Sequence, residues 1–140
     1  MIVLDTNVVS ELMRAAPADA VVRWARAQAV GDVHTTALTV AEVGYGIARL
    51  PAGGRRDALQ TAADRVFGAL AAKVLPFDRA AAVTYGEVVA ERERQGRPIS
   101  VLDAQIAAVV RSRGAVLSTG NTADFALLHL DLVDPWTAGR

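Results

Sequence analysis

Ile2-Val3-Leu4-Asp5-Thr6-Asn7-Val8-Val9 is the stretch on which the fold turns. Its first three residues are apolar and read as a short buried strand, while Val8, Val9, Leu12 and Met13 recur at helical spacing. An acid stands at the junction. The same order, apolar strand or loop, then acid, then apolar helix, returns three times. Glu42 follows Thr39-Val40-Ala41, Asp103 follows Ser100-Val101-Leu102, and Asp124 comes after the strand-like Ala115-Val116-Leu117-Ser118-Thr119. If the fold gathers these acids, their repulsion must be offset, and the usual agent is a divalent cation with oxygen ligands. A Mg²⁺ site, with Mn²⁺ as substitute, is the first expectation.

Outward from that stretch, a second helix is expected from Pro17 to about Val30, with Val21, Val22, Trp24 and Ala25 inward and Gly31 ending it. Val33-His34-Thr35-Thr36 reads as a strand, and Thr39-x-x-Glu42 as a capping box opening a helix through Val43, Ile47 and Leu50. After the turn Pro51-Ala52-Gly53-Gly54 come an alanine-rich helix to about Ala72, a strand over 73–77 and a helix from Asp78 to about Gln95, broken by Gly96-Arg97-Pro98. Ser100-x-x-Asp103 opens a helix whose Ile106, Ala107, Val109 and Val110 leave it apolar nearly all round, hence central; Gly114 closes it. Strands over 115–119 and 132–133, with a helical turn over 122–127 between them, complete the order. Short β-branched runs alternating with helices predict an α/β fold, a single domain over 1–140. Its central parallel sheet has four to five short strands, flanked by helices on both faces.

A chain of 140 residues, 52% hydrophobic, has material for one core. Its 15 basic and 15 acidic residues cancel, so no global field draws it to nucleic acid and any basic surface is local. Without cysteine there are no disulfides or thiolate sites, and with His34 and His129 the only imidazoles, zinc is disfavoured. The first apolar run reaches an acid at the fifth residue, too early for an export signal or a membrane span, so a cytoplasmic protein without a membrane partner is expected.

Each acid has a local explanation too. Asp5 before Thr6 suits an N-cap, and Glu42 and Asp103 occupy first turns, where the helix dipole stabilises negative charge by about 0.3–1 kcal/mol. Jointly the local explanation weakens, because Leu4, Ala41, Leu102 and Ala104 flank these positions and buried unpaired carboxylates are costly. Asparagine caps as well as aspartate, so Asp5→Asn or Asp103→Asn separates capping from cation binding.

Carboxylates without a His triad, an activated cysteine or a phosphate-binding glycine loop point to metal-assisted hydrolysis of a phosphodiester. Asp5 and Asp103 are the first candidate ligands. Glu42 is placed to bind a second ion or orient water, and Asp124 or the amide oxygen of Asn121 to complete the site.

Taken in order, Ile2-Val3-Leu4-Asp5-Thr6-Asn7, Thr39-Val40-Ala41-Glu42, Ile99 to Ala107, Thr119-x-Asn121-x-x-Asp124-Phe125 and Asp134-Pro135-Trp136 resemble the PIN-domain family across essentially the whole chain. The similarity is to the VapC and FitB type of toxin-antitoxin ribonuclease and includes Gly46-Ile47-Ala48-x-Leu50-Pro51-x-Gly53. The resemblance implies a Mg²⁺-dependent endoribonuclease toxin of a type II toxin-antitoxin module, held inactive by a cognate antitoxin that binds DNA, and forming a homodimer or higher assembly. It places the acidic positions at Asp5, Glu42 and Asp103, with Asn121 and Asp124 sharing the fourth. Thr6 and Asn7 match supporting positions, and Ser100 and Thr119 are candidate hydrogen-bond partners of the cluster. Gly120 departs from the pattern, standing where FitB-like members often carry arginine. With Asn121 in place of a possible acid, one metal or two stays open.

Arg55, Arg56, Arg92, Arg94 and Arg97 are candidates for phosphate contact, although arginines alternating with Glu91 and Glu93 more commonly solvate a helix face. His34 and His129 read as structural, and Trp24 and Tyr45 as core or subunit contacts. The apolar helices around 8–13 and 43–50 offer a groove for a partner helix or a homodimer surface. Two further readings are a catalytically inactive PIN-like binding module and a metal-dependent nuclease acting on DNA. Three retained acids favour catalysis over the first, and cleavage of single-stranded RNA against DNA separates the second.

Overall fold

The computed structural model describes residues 1–139. Strands β1 (Ile2–Leu4), β2 (Val33–Thr36), β3 (Val74–Leu75), β4 (Val116–Ser118) and β5 (Asp131–Val133) alternate with helices α1 (Thr6–Leu12), α2 (Asp19–Ala27), α3 (Ala37–Ala48), α4 (Gly54–Ala69), α5 (Arg79–Arg94) and α6 (Val101–Ser112). All strand pairs are parallel, in the order β3-β2-β1-β4-β5. The first strand is thus the middle one, Val3 lying opposite His34 on one side and Leu117 on the other.

From β1 the chain steps outward to β2 and β3, then crosses back to lay down β4 and β5. Reversing direction moves the connecting helices from one face to the other, because parallel crossovers keep one hand. Two cores result, one on each face, and the side-chain alternation of β1 feeds both. Leu4 joins Val8, Val9, Val21, Val43, Ile47 and Ala63 under α1 to α4. Val3 and Leu117 join Leu75, Val88, Phe125 and the apolar flank of α6 on the opposite face. Ala104 and Ile106 through Val110 are all buried, as an all-round apolar helix requires.

Glycine closes both long helices of that second layer. Gly96 (φ 63°) and Gly114 (φ 59°) take the left-handed conformation. In each case the residue beyond reaches back to the last turn: the Arg97 amide donates to the Arg92 carbonyl, and the Ala115 amide to that of Val110.

Three boundaries differ from the sequence expectation. α2 begins at Asp19, not Pro17, and ends at Ala27; the Ala18 amide donates to the Glu11 carboxylate (2.8 Å), which holds the approach extended. The strand expected over 73–77 is only Val74–Leu75, since Ala71–Lys73 forms a 3-10 turn and Pro76 has no N–H for a ladder. The supposed Thr39/Glu42 capping box is not one. Thr36, the last residue of β2, caps α3 by accepting the Thr39 amide (3.1 Å), so the helix starts three residues earlier and Glu42 lies in its second turn.

Candidate active site

The chain reverses its course across the sheet between β1 and β4, and ligands of open α/β sheets gather outside the strand ends at such a point. Asp5 occupies it. Its amide donates to the Ser118 carbonyl (2.9 Å), which continues the sheet by one rung, and its side chain is buried at 3% exposure. Oδ1 accepts the Thr6 amide (2.8 Å) and so caps α1, while Oδ2 accepts the Thr119 hydroxyl (2.8 Å) and Asn7 Nδ2 (3.1 Å). Asn7 also donates to Thr119 Oγ1 and accepts the Gly120 amide, and Thr119 Oγ1 accepts the Asn121 amide. The loop after β4 is thereby laced to the loop after β1, and the Asp5 rotamer is fixed from three sides. Ser118 Oγ, buried beside this network, has no partner, and nothing in the structure explains it.

The other acids surround Asp5 at lower burial. Asp103 is half-buried in the first turn of α6, which Ser100 caps by accepting the Asp103 amide (3.1 Å). Glu42 and Asp124 are exposed, Asp124 in a 3-10 turn over Thr122–Phe125. The expectation that apolar flanks bury the helix starts at Asp5, Glu42 and Asp103 therefore holds for Asp5 and in part for Asp103, and fails for Glu42.

Burial pushes the Asp5 carboxyl above the ordinary aspartate range, against the Thr119 hydroxyl and Thr6 amide that stabilise its anion; Asp103 and Glu42 add repulsion. Asp103 is raised in the same way, first by burial, with Asp124 and Glu42 repelling it and the Ser100 hydroxyl and Arg92 opposing. The four acids thus form one electrostatic neighbourhood assembled from residues up to 119 positions apart.

Among the described residues no cation forms an ion pair with them, although Arg92 eases the charge of Asp103. The ion pairs of the described residues engage Glu11, Glu87, Glu91 and Asp78, none of the cluster. A set of hard oxygen donors with unneutralised charge fits a magnesium-type ion, and His34 and His129 stand apart from it. Among the described residues no three acidic or imidazole groups stand close enough to cage an ion as they are. Among the described residues the exposed Glu42 and Asp124 side chains have no hydrogen-bond partner. Asn121 is exposed, engaged through its backbone.

Two features escaped the sequence reading. Arg92 neither solvates a helix face nor contacts phosphate. It is 4% exposed, and its guanidinium donates to the carbonyls of Arg97 (2.9 Å) and Ala126 (3.0 Å), pinning the segments that lead to Asp103 and away from Asp124. Thr39, 0% exposed, links α1 to α3: its hydroxyl lies 3.2 Å from that of Thr6 and 3.4 Å from that of Thr36. The i+3 spacing of Thr36 and Thr39 after a strand was the available signal. Gly120 gains a local reason as well, since a Cβ there would sit 2.9 Å from the Trp136 ring. Tyr45 is 68% exposed, whereas Trp24 packs half-buried against the α1 to α4 core. The groove expected between 8–13 and 43–50 is present, about 340 Å³, with Thr6 and Glu42 among its lining.

A parallel five-stranded sheet with four acids at its reversal point defines a class of protein, and residues 2–128 match the PIN domain: the chain belongs to that family. Within it, the chain is 42% identical over 137 residues to the VapC ribonuclease Y4jK of Sinorhizobium fredii, covering 97% of this chain and 98% of that one. It is 32% identical to toxin FitB of Neisseria gonorrhoeae, over 97% and 99% of the two chains. The structure of FitAB bound to a DNA fragment superposes with a TM-score of 0.90 at 32% identity, covering 97% of this chain and 96% of that one.

Proposed function

We propose that this protein is the toxin of a type II toxin-antitoxin module, a Mg²⁺-dependent endoribonuclease that hydrolyses RNA phosphodiesters. The observation that carries the reading is the buried, uncompensated Asp5 carboxylate in the shared field of Asp103, Glu42 and Asp124. The names of the relatives, ribonuclease and toxin, point the same way. Asp5 and Asp103 would hold the ion, with Asn121 or Asp124 completing its oxygen set and Glu42 serving a second ion or the attacking water. When bound, Mg²⁺ or Mn²⁺ supplies positive charge for a phosphoryl oxygen and lowers the pKa of water. The protein's part is to gather and orient these acids: Thr119, Asn7 and the Thr6 amide fix Asp5, and Ser100 sets the start of α6.

The partner is a cognate antitoxin with DNA-binding capacity, in an assembly built on a toxin homodimer or larger. That reading draws on the FitAB complex with DNA. Among the described residues no helix is long and apolar enough to cross a membrane, and we place the protein in the cytoplasm.

Single-stranded RNA and DNA of one sequence, incubated with the protein and Mn²⁺, provide the test. Wild type is expected to cut RNA, and Asp103→Asn to lose that activity by more than about a hundredfold, beyond what loss of an outer partner alone produces, with its melting temperature held. Cleavage of DNA alone would make it a DNA nuclease. No cleavage of either would leave an inactive PIN-like binding module.

A further inference from the structure

Of the four acids only Glu42 lines the groove that also holds Thr6, and that groove extends to the end of α1. It shares Met13, Arg14 and Leu59 with a neighbouring cavity of about 470 Å³ between the end of α1 and the outer face of α4. Arg14, Arg55 and Arg65 all line that second cavity, and no carboxylate does; Asp57 and Asp64, also on α4, are not among its walls. All three arginines are exposed, and among the described residues Arg55 and Arg65 form no ion pair. Arg14 pairs with Glu11 at 3.3 Å, but at 65% side-chain exposure such a contact is weak. The same Glu11 carboxylate also accepts the Ala18 amide, and of the three arginines Arg14 alone is partly neutralised.

A chain of zero net charge thus concentrates three exposed arginines in one basin, two of them without an ion pair among the described residues, next to the groove that Glu42 lines. Guanidinium forks match phosphate, and a strand lying in the basin has the groove beside it as a path toward Glu42, one of the four acids. We propose that this basin binds the phosphates of the RNA strand flanking the cleaved bond, with Arg14, Arg55 and Arg65 as the contacts. The proposal rests on the ribonuclease reading above. It assigns to Arg55 the role the sequence left open, and withholds it from Arg56, Arg92, Arg94 and Arg97, none of which lines the basin.

The test is the affinity of a fluorescein-labelled 20-nucleotide single-stranded RNA, in EDTA so that no cleavage occurs, as a function of salt. Each phosphate contact on a single strand contributes about 0.7 to the slope of log K against log salt. The Arg14→Gln/Arg55→Gln/Arg65→Gln variant should bind on the order of tenfold or more weakly, with a slope shallower by about 2. A control variant, Arg26→Gln/Arg79→Gln/Arg94→Gln, carries the same charge change away from the basin and should bind like wild type. Equal loss in both variants would reduce the effect to net charge and overturn the assignment. Undiminished RNA affinity in the basin variant would overturn it too, including the case where that variant loses a protein partner instead. If wild type cuts RNA with Mn²⁺ while the basin variant binds and cuts equally well, the basin alone is refuted. If wild type neither binds nor cuts RNA, the ribonuclease reading falls and takes the basin with it.

Discussion

At the scale of single residues, Gly120 shows how a departure from a family pattern has a local cause. Its φ is unremarkable, so the backbone does not demand glycine. The demand comes from Trp136, whose ring occupies the space a side chain would need. That ring is half-buried against the core under α1 to α4, so moving it aside gives up packing there. Gly120→Ala should therefore cost about 1–3 kcal/mol, the usual range for overpacking, read as a lowered midpoint in urea. Gly120→Ala/Trp136→Leu should recover part of that loss; a single variant as stable as wild type would remove Trp136 as the reason. Arg92 illustrates the opposite case. In the sequence it is one of several arginines among glutamates, and only the return of two loops to the end of α5 turns it into a buried staple.

At the scale of elements, the acids are only as well placed as the helices that carry them. Glu42 rides on α3 and Asp5 on the entrance to α1, and the buried hydroxyls of Thr6, Thr39 and Thr36 tie the two helices together. Thr39→Val keeps shape and removes the link, whereas Thr39→Ser keeps the hydroxyl. The valine variant should lose stability by about 1 kcal/mol and bind Mn²⁺ several-fold more weakly by calorimetric titration; the serine variant should restore the Mn²⁺ affinity. If both variants bind the ion like wild type, the link does not position the acids. The order of strands and helices was legible because Ile2-Val3-Leu4, Val116-Leu117-Ser118 and the apolar girdle of α6 carry strong periodicity. The start of α3 was not, because Thr36 serves both as strand residue and as cap, and no local pattern separates those roles. Asp5, Glu42, Asp103 and Asp124 were readable as candidates from position alone. Which of them is buried was not, since that depends on where remote loops close over them.

For the molecule as a whole, the two raised carboxyls set a pH signature. Asp5 and Asp103 titrate above their ordinary values in the folded chain, so the folded state holds their protons more tightly than the unfolded state does. Their contribution to stability is fully present below the unfolded values and is lost as pH rises through the raised folded ones. Cation-free protein should therefore lose stability to this pair as pH climbs above about 4, and Asp103→Asn should flatten part of that decline. Mg²⁺ should raise the melting temperature more as pH climbs, because protons compete with the ion for these carboxyls. A calorimetric series with and without Mg²⁺ checks it; a Mg²⁺ effect independent of pH would place the ion elsewhere.

Of the five strands, the central one is synthesised before its four neighbours. Asp5 is made long before Thr119, whose hydroxyl seats it, and Ser118, whose carbonyl anchors its backbone. A nascent chain that stops short of β4 has Asp5, Glu42 and Asp103 but lacks the groups that seat Asp5. Making the acids and assembling the site they share are separated in time.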